Sequence, residues 1–159
     1  MVGAAIAGVL VAFIFMALVI FIIFRTFVPS SAVVLSAFAD IFMTLIAVDI
    51  LGMKMSAAGI VAFLMLIGYS VDSDILLTTR VLKRKEGSLN QRIFGAFKTG
   101  MTMTLTSLAA VGGALLVVNS FSVVLTQIFS ILVIGLFFDI LNTWITNVSI
   151  IKWYVEKKR

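Results

Sequence analysis

The fold class predicted for this chain is an all-α membrane protein with five transmembrane helices, and three observations predict it. Hydrophobic residues make up 62% of the 159 and charged residues 12%, a mixture too apolar for a soluble domain of this size. Five long apolar runs are separated by short connections. At ~1.5 Å per residue each is long enough to cross a hydrocarbon core of about 30 Å. When the runs alternate across a membrane, eleven of the 12 Lys and Arg residues fall on one side and Lys54 alone on the other. That bias predicts a C-terminus in the cytoplasm and, after five crossings, an N-terminus outside. Composition also excludes whole classes of chemistry. Cys and His are both absent, which removes disulfides, imidazole-based zinc sites and any Ser-His or Cys-His catalysis. No catalytic residue, metal site or cofactor is expected, and proton handling falls to carboxylates. The net charge of +5 does not argue for nucleic acid, because the basic residues sit beside apolar runs.

The first run, about residues 3–24, follows no basic stretch and precedes no cleavage site, so it is a span and not a signal peptide. Ala4, Gly8 and Ala12 recur four apart, either as a ridge for close helix approach or as incidental small residues facing lipid. Arg25 ends the run, and Pro29-Ser30-Ser31 predicts a short turn in which a serine caps the next helix. The second run, about 32–51, carries Asp40 near its middle and Asp49 at its interfacial end. After Gly52-Met53-Lys54 comes the third, about 56–79, with Asp72 and Asp74. A charged segment from Arg80 to Glu86 follows, and Ser88 with Gln91 fits a capping box. It opens a short interfacial helix over 89–99, with Leu89, Ile93, Phe94 and Phe97 along one side; a buried helix of soluble type is the alternative. The fourth run, about 100–118, has Thr99, Thr102, Thr106, Ala109 and Gly113 on a small, mildly polar face predicted to pack on protein. The fifth, about 121–151, places Asp139, Asn142, Thr143, Thr146 and Asn147 on one side. Lys152 and the basic terminus anchor its end.

Carboxylates at membrane depth demand a reason, since each costs on the order of 2.5–3.5 kcal/mol even on insertion-based scales. Asp40 and Asp72 both fall about 10 to 12 Å below the inner boundary, with Thr102 and Thr106 in the same layer. Asp72 and Asp74 are about 200° apart around a helix, so only one of them faces Asp40. Asp72 is expected in the interior, with Asp74 on another face or nearer the cytoplasmic water. No basic residue lies clearly at that depth. The candidate proton-binding residues are therefore Asp40, Asp72, Asp74 and Asp139, with Thr102, Thr106, Asn142 and Thr143 as supporting polar groups. The alternative reading is a set of neutral, hydrogen-bonded acids that hold helices together.

Several of these stretches carry a resemblance. Phe24-Arg25-Thr26, Ala37-Phe38-Ala39-Asp40 and, above all, Gly68-Tyr69-Ser70-Val71-Asp72-Ser73-Asp74-Ile75-Leu76-Leu77-Thr78-Thr79-Arg80 resemble the archaeal form of the SecF family of protein-export subunits. Lys98 to Thr104 and Asp139 to Trp144 extend the likeness over essentially the whole chain. It implies a bundle of the resistance-nodulation-division type. Residues 1–159 would then be a single transmembrane domain holding the last five of six spans, with the family's first span and extracytoplasmic domain absent. It implies the plasma membrane as location, and SecD, the Sec translocon channel, a translocating preprotein and membrane lipid as partners. The implied role is late translocation and release of exported proteins, for which bacterial members draw on the proton gradient. Asp40 matches the family's acid in its span. The bacterial motif reads Gly-Tyr-Ser-x-Asn-Asp, which sets its Asn at Asp72 and its Asp at Ser73. The family's acid therefore maps onto Asp72 or Asp74 only to within a residue, and no residue here replaces an intramembrane arginine in the fourth span.

The function expected is an auxiliary translocase subunit, not an enzyme, with buried acids that bias a conformational cycle. A scaffolding subunit without proton coupling is the main rival. A proton-coupled transporter of the same superfamily would need an extracytoplasmic substrate pocket. An intramembrane aspartyl protease would need a Gly-x-Gly-Asp setting that Gly68-Tyr69-Ser70-Val71-Asp72 lacks.

Overall fold

A computed structural model describes residues 2–158. Helices α1 (Val2–Phe24), α2 (Phe27–Ile50), α3 (Ala57–Lys83) and α4 (Leu89–Val118) are followed by a fifth rod, made of α5 (Val123–Leu141), a π-helical turn (Asn142–Asn147) and α6 (Val148–Lys157). All five rods are long and apolar enough to cross a membrane. The chain is a multi-pass membrane protein, as its composition predicts.

The ends of the rods differ from expectation, for local reasons. Helix α2 starts at Phe27, so Pro29-Ser30-Ser31 is its first turn and not a connecting loop. Pro29 fits there because first-turn amides have no intrahelical acceptor to lose. Ser30 and Ser31 do not cap; their hydroxyls donate back to the carbonyls of Thr26 and Phe27, at 2.7 and 2.8 Å. The reversal falls to two residues, Arg25 and Thr26, with Arg25 in the left-handed region at φ 52°. Helix α4 joins the expected interfacial helix to the expected fourth span in one run of 30 residues. At ~1.5 Å per residue it is about 45 Å long, well beyond the hydrocarbon core. Its capping box is formed as predicted, with Ser88 and Gln91 exchanging side-chain and backbone hydrogen bonds. No proline interrupts it, and the hydroxyls of Thr99, Thr102 and Thr106 donate to carbonyls four residues back. The fifth rod starts at Val123, where the Ser122 hydroxyl accepts from the Leu125 amide, and continues to Lys157.

Helix α3 is the most deeply embedded rod and α1 the least. One apolar cluster, including Val48, Phe63, Leu66, Leu132 and Leu136, binds α2, α3 and α5 toward the Lys54 end. A second, including Ala32, Leu77, Val81, Ala96 and Ile151, binds the opposite, basic end. A third seats α1 on α2 and α3 through Ile20, Phe24, Val33 and Ile67. The outer faces are apolar and exposed, as lipid requires. Ala4 and Gly8 belong to such a face. So does the row on α4 that was expected to pack on protein: Thr102, Thr106, Ala109 and Gly113 are exposed, since α4 turns a different side, with Ala96, Gly100, Thr104 and Val111, toward the bundle.

Gly135 sets the closest approach of α5 to α3, because a Cβ there would run into the fully buried Leu66 side chain. Gly135→Ala is expected to lower stability by ~1–3 kcal/mol through overpacking. Thermal unfolding in detergent measures it. Gly113→Ala, which adds a methyl to open space, should leave the midpoint unchanged or slightly raised.

Candidate functional site

Between the two end clusters lies a polar layer contributed by three rods. Ser36, Asp40 and Thr44 are spaced four apart and so share one face of α2. Ser70, Ser73, Asp74 and Thr78 share a face of α3, and Asp139, Asn142, Thr143 and Asn147 a face of the fifth rod. All eleven side chains are buried, most of them completely. Each rod alone is a hydrophobic helix with a narrow polar stripe. Packed together, the stripes close on one another and leave lipid on the outside.

The hydrogen bonds connect the stripes in sequence. Asp40 accepts from the Ser70 hydroxyl through one carboxyl oxygen and from the Asn142 amide, at 2.6 Å, through the other. Asp139 neighbours Asp40 and accepts from Ser73 at 3.3 Å and from Thr143 at 3.2 Å. Thr143 also lies 3.1 Å from Asp74, whose same oxygen accepts from the Asn147 amide at 2.6 Å. Ser36 stands beside Asp74 without reaching hydrogen-bonding geometry. Among the described residues, every hydrogen-bond donor to the three carboxyls is neutral. Among the described residues, Asp74 Oδ2 and Asn147 Oδ1 are buried without a partner, as are the hydroxyls of Ser36, Thr44 and Thr78. No group of three or more ligating side chains among the described residues is placed to hold a metal ion.

The π-helical turn lies within this layer. It widens the rod between Asn142 and Asn147, and the Val148 amide reaches the carbonyl of Thr143, five residues back. Asn142, Thr143 and Asn147 are all buried in consequence, while Thr146 is only half-buried. Such turns recur at functional positions because they re-aim side chains that a regular helix would splay.

Asp40, Asp139, Asn142 and Thr143, singled out from the sequence, do come together. Asp72 and Asp74 exchange their expected roles: Asp74 is fully buried and Asp72 exposed. The helix is regular here, and Asp74 continues the inward row Phe63, Ile67, Ser70, Asp74, Leu77, Thr78 and Val81. Depth alone favoured Asp72, whereas facing decides for Asp74. Thr102 and Thr106 are exposed on α4 and bond only to their own helix. The residues missed were Ser36, Thr44, Ser70, Ser73 and Thr78, although Ser36 and Thr44 stand four from Asp40, Ser70 and Thr78 four from Asp74, and Ser73 three from Ser70, which was the available signal.

A family described as protein export membrane protein SecD/SecF, C-terminal, matches residues 1–157. Three relatives named protein-export membrane protein SecF are similar over nearly all of the chain. That of Methanolacinia petrolearia is 51% identical over 96% of this chain and 54% of its own length. That of Methanothermobacter thermautotrophicus is 50% identical over 91% and 52%. That of Methanocaldococcus jannaschii is 50% identical over 93% and 54%. The chain thus spans about half the length of the curated relatives it matches. No solved structure matches it. With a family match over essentially every residue and half-identical relatives from archaea, the chain belongs to the SecD/SecF family of protein-export membrane proteins, on the SecF side.

Proposed function

We propose that this chain is the membrane part of an auxiliary subunit of the Sec export machinery, which works with SecD at a late stage of translocation and whose buried acids bind protons. It is not an enzyme; its polar layer offers a place for a proton and no reaction centre. The observation that carries the reading is three carboxyls gathered in an apolar bundle with neutral donors only. The Thr143 hydroxyl has one proton to share between Asp74 and Asp139. Asp74 Oδ2 and Asn147 Oδ1 are acceptors without a donor, a deficit that a proton on Asp74 makes up. An acid that gains or loses a proton here changes who donates to whom among α2, α3 and the fifth rod. That is a local event able to bias two packings, provided they hold the proton with different affinity.

The test is export in cells carrying Asp40→Asn or Asp74→Asn, with membrane levels and SecD association checked. Each amide keeps the shape and loses the titration. Export is expected to fall toward the level of a strain lacking the protein, with normal assembly. The scaffolding reading has its own support, since the stripes already knit three rods through hydroxyls and amides; normal export in both variants would establish it.

Two further expectations concern placement. The absence of native Cys permits single-cysteine labelling with a membrane-impermeant maleimide. Lys54→Cys should react in intact cells and Lys85→Cys only after permeabilisation; the reverse pattern would invert the proposed topology. The outer face of α3 supports the SecD pairing, because Asp72 is exposed there one turn from Gly68, where a Cβ would meet nothing. A carboxyl on a lipid-facing surface is costly, and a partner helix with a polar group relieves it. A Gly68→Cys variant is expected to cross-link to SecD, and failure across a panel of SecD cysteines would move the interface elsewhere.

A further inference from the structure

The ends of α1, α3 and α6 and the beginnings of α2 and α4 converge at the end of the bundle where most of the basic residues lie. Between them is a cavity of about 490 Å³, within the range of small-ligand sites. Phe24, Val81 and Val155 supply apolar wall, and Lys83, Arg92 and Lys158 supply three positive charges. Among the described residues, no acidic side chain lines it. Arg92 is fixed in place, because its Nη1 donates to the carbonyls of Val81 and Arg84, both at 2.6 Å. Its Nε is shut off from solvent and has no partner among the described residues. Three cations facing one cavity repel one another unless an anion sits between them. The apolar wall lies on the bundle side of the cations, since Val81 comes two residues before Lys83 on α3, Val155 comes three before Lys158 at the end of α6, and Phe24 closes α1.

We propose that this cavity is a binding site for an anionic phospholipid, the phosphate lying against Lys83, Arg92 and Lys158 and an acyl chain along Phe24, Val81 and Val155. A basic pocket between transmembrane helices at headgroup level is the setting in which acidic lipids are held. A free phosphate would satisfy the charges and leave the apolar wall without an occupant; the cavity is built for both. A neighbouring groove of about 320 Å³, lined by Phe94, Phe97 and Trp144, has Lys152 as its one cation among the described residues, and it serves as the control.

The experiment is a lipid titration of the delipidated protein in detergent, followed by native mass spectrometry, with phosphatidylglycerol and phosphatidylcholine of identical chains. The wild type is expected to prefer phosphatidylglycerol. The double variant Lys83→Gln/Lys158→Gln should weaken phosphatidylglycerol by on the order of 10- to 30-fold, at about fivefold per charge, with phosphatidylcholine unchanged. Lys152→Gln should leave the preference intact. Arg92 is kept, because it also holds the end of α3. Equal binding of the two lipids by the wild type overturns the proposal whatever the variant does, and so does a folded double variant that retains the preference. Displacement of phosphatidylglycerol by millimolar glycerol phosphate would show that the site reads phosphate alone, and would overturn the lipid assignment.

Discussion

Hydrocarbon offers no hydrogen bonds, and that constraint organises this bundle. Eleven polar side chains on α2, α3 and the fifth rod are buried, and the carboxyls among them take hydrogen bonds from one another's rods, so the rods must meet at one rotation and one height. Sliding α3 by a single turn, about 5.4 Å, would part Ser70 from Asp40 and Asp74 from Thr143 and Asn147. The same slide would drive Leu66 off the notch at Gly135. Apolar packing and polar pairing thus demand the same register, and agreement between the two levels is what selects one structure over its neighbours.

How much of this could be read from the sequence depends on whether a property belongs to a segment or to a face. Hydropathy belongs to a segment, and all five rods were legible from it. Facing belongs to the neighbours, and the two helices with polar residues on several sides misled. On α3, depth suggested Asp72, while the inward row from Phe63 to Val81 passes through Asp74. On α4, small and hydroxylated residues looked like a packing face, yet the bundle meets that helix at Ala96, Gly100, Thr104 and Val111. Of the five members of the Asp139 stripe, which repeat at three and four residues, four are buried together, Asp139, Asn142, Thr143 and Asn147, whereas Thr146 is only half-buried. The π-helical turn beneath it leaves no mark in composition, and neither does a left-handed Arg25, since both are imposed by the packing around them.

Helix α3 is unusual in carrying carboxyls on nearly opposite sides, Asp74 within the bundle and Asp72 on its surface. It is also the rod that contacts α1, α2, α4 and α5 alike. A rod in that position has little freedom to move by itself. Its basic end is further pinned to α4, through Arg80 on the Gly95 carbonyl and Arg92 on the carbonyls of Val81 and Arg84.

Against that fixed end, the contact between Gly100 and Trp144 has a mechanical meaning. The indole of Trp144 presses on the bare backbone of α4 so closely that a methyl group would not fit, and its ring meets Phe97 edge-on at 5.1 Å. Trp144 is itself a residue of the widened turn, directly after Asn142 and Thr143. A rigid aromatic plate thus stands between α4 at Gly100 and the backbone that holds two of the donors to the acids, so the spacing of α4 and the setting of those donors are fixed together.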